Sequence, residues 1–573
     1  MSKDWEKRCT DLVMRGGVTS GIVYPPAIRR IAEEFTLIGI GGTSAGAMAA
    51  AIAAAAEFYR RKAGSIEGFE HLARLPDDLS EDGRMVGLFR PDASTAKLHA
   101  RLMRWMDRKQ SGKEMSWAYF LKQVPGLWWQ RKSILRNNYG LCSGMAVGNP
   151  AGANNILPLT HWLHEQIQTA AGLDLDRPLT FADLHGARVP EPLRPMMGDI
   201  PDRAIDLRMV TTCLTYGRPL ELPCDTNRFA FDPDEWARLF PEEVVDYLIN
   251  EARSNGSFGR WQEQGKVPIS LGASLPVIVA TRMSLSFPLM FSMVPLYAIN
   301  YEESNVSMIR VWLSDGGITS NFPIHSFDSL FPRWPTMGLN LMYTGADRNP
   351  ASKGARMSYI GLSKQRGGDW FGLPTDFLRD PSEATPIDLI NLLKDGIFRS
   401  AQNWHDNAYL QLDMFRDRVA EIWLTPEQGG FNLTMPRQAI EDLVRRGEKA
   451  ASALCDRFRD RISNDALSWD GHRWARYRAT MPALATALQG FRNSVDHPGL
   501  DEKTLAELLD AAAEAPCYRV AGKKQADAMR SVTEDLMRFI ATMNESGVCH
   551  RASDEPFCGG PSPNARFGVR VTF

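Results

Sequence analysis

Phe35 to Ala56 is a run of 22 residues without a single charge, closed by Glu57 and then Arg60-Arg61-Lys62. A run of that length either crosses a bilayer as one helix or is divided between buried elements of a soluble core. Nine of the 22 are alanine and four are glycine, so the run is only weakly apolar, and Gly39-Ile40-Gly41-Gly42-Thr43-Ser44 would make a poor helix centre. The division predicted is a buried strand over Thr36 to Ile40, a turn over Gly41 to Ser44, and a helix over Ala45 to Arg61.

That division turns Gly42-Thr43-Ser44-Ala45-Gly46 into a G-x-S-x-G on a strand-to-helix turn. Such a turn thrusts the serine hydroxyl outward and aims the positive helix end at developing negative charge. A phosphate-binding loop is excluded, because no lysine lies between Lys7 and Lys62. A dinucleotide fingerprint breaks at Ser44, where its third glycine would stand. Upstream, Asp11 to Met14 reads as a strand entering Arg15-Gly16-Gly17-Val18-Thr19-Ser20-Gly21, followed by a short helix ending near Glu34. Adjacent glycines after a strand can expose backbone N–H groups as an anion nest, or simply join strand to helix. Downstream, Val311 to Leu313 is a short apolar strand running into Ser314-Asp315-Gly316-Gly317, which is also ordinary turn chemistry. His325 is the histidine nearest to Asp315 and lies in no motif. Only about 27 residues separate Gly17 from Ser44, room for one helix and one strand, which does not fit an α/β-hydrolase.

These three segments in this order resemble the patatin-like phospholipases. That family has a glycine-rich oxyanion loop after its first strand, a G-x-S-x-G elbow one helix and one strand later, and a distant D-G-G or D-G-A. Asn321-Phe322-Pro323 is similar to the family's N-x-P, and Arg282 to Pro295, with Ser284 and Ser286, to the segment before its aspartate strand. The resemblance covers roughly residues 10 to 345. It implies an α/β, three-layer fold with a central, mostly parallel sheet. It also implies a Ser44–Asp315 dyad without histidine, an oxyanion hole of Gly16, Gly17 and Val18 backbone N–H groups, supporting glycines Gly42, Gly46, Gly316 and Gly317, and no metal or organic cofactor. The implied reaction is hydrolysis of fatty acyl esters of phospholipids or lysophospholipids through an acyl-enzyme. The family's loop arginine is Ser20 here, and Arg15 is a candidate to supply that charge.

Composition bears on the partner. The 573 residues include 15 Trp, 24 Met and 26 Phe, a surplus that fills a large core or faces something greasy. The net charge of −2 gives no global attraction to nucleic acid or to an anionic membrane, so contact with lipid is expected to be local and peripheral. Trp117 to Leu135, with Trp128-Trp129 among Lys122, Arg131 and Lys132, is either such an interfacial segment or a cap on the site. Eight cysteines without a C-x-x-C pair, and an N-terminus without an apolar run, indicate a cytoplasmic protein with reduced thiols. Cys549, His550 and Cys558 are too irregularly spaced to assign a metal.

The expected organisation is a catalytic domain over 10–345, extending to about 460 at most, a boundary or insertion segment over 346–386, and a mainly helical C-terminal region over 387–573. In the last of these, Arg418 to Leu424 reads as an edge strand, and a helix follows with an apolar face of Ile440, Leu443, Val444, Ala451, Leu454 and Phe458. The C-terminal region carries no recognisable chemistry and suits oligomerisation or a regulatory partner. Two other roles stay open at this point: a catalytically idle scaffold at membranes, and a regulated phospholipase toxin or defence effector.

Overall fold

The computed structural model describes residues 4–17, 19–81, 83–101, 131–145, 156–197, 203–226, 228–256, 265–300, 307–343, 360–361, 406, 413–425, 428–429, 432–459, 467–496, 503–511, 520 and 522–545. In chain order the strands are β1 (Cys9–Met14), β2 (Thr36–Gly42), β3 (Gly140–Cys142), β4 (Asp206–Cys213), β5 (Arg218–Leu222), β6 (Phe229–Phe231), β7 (Val267–Ile269), β8 (Leu289–Phe291), β9 (Val294–Asn300), β10 (Ser307–Asp315), β11 (Thr336–Tyr343), β12 (Ile360–Gly361) and β13 (Val419–Leu424). The helices used below are α1 (Tyr24–Ala32), α2 (Ala45–Ala63), α3 (Glu67–Ser80), α4 (Leu159–Ala171), α5 (Val277–Ser284), α6 (Arg437–Arg459), α7 (Trp469–Asp496) and α8 (Lys523–Glu545).

The uncharged run divides as its composition predicts. Its first part is β2 and its second is α2, turned at Thr43-Ser44. Alanine makes α2 thin, so it is enclosed on nearly every side and Ala49 through Ala56 are all buried. Among the described residues, no helix is long and apolar enough to cross a membrane.

One sheet runs in the order β12-β13-β11-β1-β2-β4-β10-β9-β6-β7, with β5 paired to β4. From β13 to β4 every neighbouring pair is parallel. Beyond β4 the chain sense alternates: β4–β10, β10–β9, β9–β6, β6–β7 and β4–β5 are antiparallel, and so is β12–β13. The expectation of a mostly parallel sheet is therefore corrected to a mixed sheet, with four parallel pairings against six antiparallel among the described residues. Short crossover helices such as α1 build the parallel half, whereas direct returns such as β9 to β10 build the other. Arg418 to Leu424 was expected at an edge, yet β13 lies inside, between β11 and the two-residue β12.

Side chains alternate across β1: Leu12 and Met14 enter the main core with α1, α2, α4, α5 and α6, while Val13 joins Phe322, Ile324, Phe415 and Ala479 on the opposite face. The sheet is thus covered on both faces, the middle of three layers. Helix α6 presents Ile440, Leu443, Ala451, Leu454 and Phe458 as buried residues, and Val444 packs at their margin. Beyond it, α7 and α8 continue the chain as helices, and α8 is exposed along most of its length. The Trp117-to-Trp129 part of the aromatic segment, nearly all of 346–412, and Cys549, His550 and Cys558 lie outside the described residues.

Candidate active site

Strand register brings the elbow and the acid together. Gly42, the last residue of β2, is opposite Met209 of β4, and Asp315, the last residue of β10, is opposite Thr211 of the same strand. β5 takes the opposite edge of β4 over Met209 to Cys213, so β2 and β10 share one edge and run toward each other along it, and Ser44 and Asp315 converge where their ends meet. Ser44 is the N-cap of α2 and holds φ 53° and ψ −127°. A non-glycine residue in this region carries strain on the order of 1–3 kcal/mol, a cost met at functional turns where the surroundings fix the backbone. Those surroundings are tight. A side chain on Gly46 would place its first carbon 2.4 Å from the Met14 carbonyl oxygen, and one on Gly316 would stand 1.8 Å from the Val210 carbonyl oxygen. Gly42, Gly46 and Gly316 are there because neighbouring backbone passes against them, whereas Gly317 faces the Asn321 and Asp315 side chains.

The turn after α5 holds both reacting groups. Ser44 N donates to Ser284 Oγ at 3.1 Å, and Ser284 Oγ donates on to Val210 O at 2.6 Å. Asp315 N donates to Ser286 O at 3.1 Å. Buried Arg282 stiffens this turn through Ser286 Oγ, Ser143 O and Ser292 O.

Asp315 is 3% exposed. Its Oδ1 accepts from Gly317 N at 2.8 Å, and its Oδ2 is buried without a hydrogen-bond partner. Burial pushes its carboxyl up from 3.8 to about 7, against the pull of the Ser44 hydroxyl and Gly317 N–H. The Ser44 hydroxyl, close enough to exert that pull, donates at 3.2 Å to Gly17 O. In this arrangement the hydroxyl is turned toward the glycine loop.

The loop itself departs from expectation at one position. Gly16 N donates to Asn321 O at 2.8 Å, which removes Gly16 from the set of oxyanion donors. Gly17 N has no acceptor among the described residues, and Val18 lies outside them. Gly17 O accepts from Ala45 N at 3.3 Å as well as from Ser44. Arg15 Nη1 is held by Asn340 Oδ1 at 2.8 Å.

In front of Ser44 opens a pocket. Its walls are Met48, Met85, Met290, Phe89, Phe287, Phe291, Trp162 and several leucines, with Gly17 and Thr19 beside the serine. Among the described residues, none that lines it is charged. Part of the Met and Phe surplus in the composition is therefore spent on this wall. Ser284 and Ser286 stood in the sequence only as a pattern, and Arg282 as its first residue. Their hydrogen bonds to the elbow and the acid have no local signature.

Fold and site together define an α/β protein with a mixed sheet, a helical C-terminal part, and an elbow serine facing a buried aspartate. No protein-family model matches the chain. It is 30% identical to the RpoH suppressor of Rhizobium meliloti (strain 1021) over an alignment of 640 positions, covering 94% of this chain and 95% of that protein. The chain belongs to the same family as that RpoH suppressor. The crystal structure of VipD from Legionella pneumophila matches 95% of this chain and 88% of its own at 12% identity and a TM-score of 0.28, a likeness too low to argue from.

Proposed function

We propose that the protein is a serine lipid acyl hydrolase acting on fatty acyl esters of phospholipids or lysophospholipids. The observation that carries this reading is the strained Ser44, at the head of a long helix beside a buried Asp315 and open to an uncharged cavity. An apolar wall favours an acyl chain over a charged or sugar-like group, because a polar group placed there would lose its water without gaining partners.

In the proposed reaction Asp315 Oδ2 takes the Ser44 proton as Oγ attacks the ester carbonyl carbon. Gly17 N–H and the head of α2 hold the oxyanion that forms. Collapse expels the alcohol, which receives the proton from Asp315, and leaves the acyl group on Ser44 Oγ. Water, deprotonated by Asp315, then releases the fatty acid and restores the serine. Contact with the lipid is peripheral in this reading, and the protein is cytoplasmic.

A fluorophosphonate probe tests the assignment. Wild type is expected to be labelled on Ser44 and Ser44→Ala to stay unlabelled, with fatty acid release from phospholipid vesicles lost in Ser44→Ala and in Asp315→Asn. Labelling that persists in Ser44→Ala, or a wild type that neither reacts nor releases fatty acid, would falsify the dyad. The latter outcome would favour an idle scaffold.

A further inference from the structure

Asp406 belongs to no motif and lies 85 residues along the chain from Asn321, yet it reaches the loop that follows the acid. It is 2% exposed. Its Oδ2 accepts from Asn321 N and from Phe322 N, both at 2.8 Å, and its Oδ1 accepts from Ser320 Oγ at 3.3 Å. The carbonyl of the same Asn321 then accepts from Gly16 N at 2.8 Å and from Thr43 Oγ1 at 2.9 Å. Thr43 is the residue before Ser44, and Gly16 precedes Gly17, the oxyanion donor of the proposed reaction.

We propose that Asp406 is a positioning residue that fixes the Asn321 peptide, and through it registers the oxyanion loop against the elbow. This rests on the hydrolase reading above and deepens it. Three segments distant in sequence meet at one peptide: its N–H is fastened by Asp406, and its carbonyl fastens both the glycine loop and the elbow. A buried carboxylate is a costly way to fill space, since an apolar side chain would avoid the desolvation penalty. What it supplies instead is one oxygen, Oδ2, that holds two adjacent N–H groups at once, and because Phe322 N–H shares a peptide plane with the Asn321 carbonyl, this fixes the orientation of that carbonyl. Displacement of a reacting group by about 1 Å can cost on the order of 10² in rate, so looseness at this peptide is expected to show at Ser44. The region after the catalytic core thereby contributes a determinant of the site without touching substrate.

Two readouts test the proposal on the full-length protein. The first is the rate of Ser44 labelling by a fluorophosphonate. Asp406→Ala is expected to lower it on the order of tenfold to a hundredfold and to reduce kcat while KM moves less than about twofold. Asp406→Asn keeps an oxygen for the two amides and an amide N–H for Ser320, and is expected to restore most of the rate. The second readout is hydrogen exchange, which does not depend on activity. In Asp406→Ala the amides of Gly16, Asn321 and Phe322 are expected to exchange faster, while those of Val311 and Leu313 stay as in wild type. If Asp406→Ala fails to fold, Asp406→Leu, which fills the space without an acceptor, takes its place with the same expectations. A folded Ala or Leu variant with wild-type labelling, or with unchanged exchange at Gly16 and Asn321, overturns the positioning role. A wild type that is never labelled overturns the hydrolase reading instead, and the exchange comparison still decides whether Asp406 holds the loop.

Discussion

Burial lifts the Asp315 carboxyl to about 7, so near neutral pH both its proton-accepting and its neutral form are populated. A base must be ionised to act, so kcat/KM for ester hydrolysis is expected to rise about tenfold per pH unit below 7 and to level off above it. A rate flat from pH 5 to 8 would remove Asp315 from the role. The same shift acts on stability with the opposite sign. Because the folded pKa is raised above 3.8, the folded state binds this proton more tightly than the unfolded state does. The stability gained is complete below pH 3.8 and is lost as pH rises through 7. Asp11, also raised to about 7 by burial, and Asp406, raised to about 6, add to the trend. Asp315→Asn keeps an acceptor for Gly317 N and has no proton to lose. It is expected to be more stable than wild type at pH 8, by on the order of 4 kcal/mol at most, with the gap closing towards pH 4. Scanning calorimetry across that range checks it.

At the scale of elements, α2 is fixed at both ends by different physics. Its N-terminus is set by close backbone approach, and Gly46→Ala or Gly316→Ala is expected to cost at least about 2 kcal/mol, read from urea midpoints, because the obstacle is backbone that cannot swing aside. Its C-terminal part is set by charge. Buried Glu57 accepts from Arg60 and Arg61, which also donate to Ala32 O, Phe35 O, Leu37 O and Ala204 O. Glu57→Gln would leave two buried guanidiniums without their counter-charge, an expected loss of about 3–5 kcal/mol by the same measurement. The elements that carry the site were legible because each has a local cause. The alanine run, the glycine turn and the β-branched stretch of Thr36 to Ile40 act over a few residues. The antiparallel half was not legible. Three-residue strands such as Phe229–Phe231 and Val267–Ile269 are too short to show a period, and their pairing is settled by partners far along the chain. The same holds for β13, whose outer neighbour is only Ile360–Gly361.

Across the whole molecule, the meeting of Ser44 with Asp315 could be read from sequence because glycine spacing reports how backbone must bend around them. The donor set could not. Gly16 is consumed by a carbonyl over 300 residues away, and no periodicity announces that Asn321 would face it. Position in the sheet has a further consequence, for the timing of synthesis. Ser44 follows the parallel strand β2 and Asp315 ends β10, the first strand of the antiparallel half, and both strands pair with β4. On a ribosome adding about 5–20 residues each second, the nucleophile emerges tens of seconds before its base. The strand carrying Asp315 must then pair with β4, a non-local contact of the kind that forms slowly. In the proposed reaction, a nascent chain would hold a serine without a proton acceptor until most of the sheet is complete, so the order of synthesis would itself keep an unfinished molecule from cleaving the lipids around it.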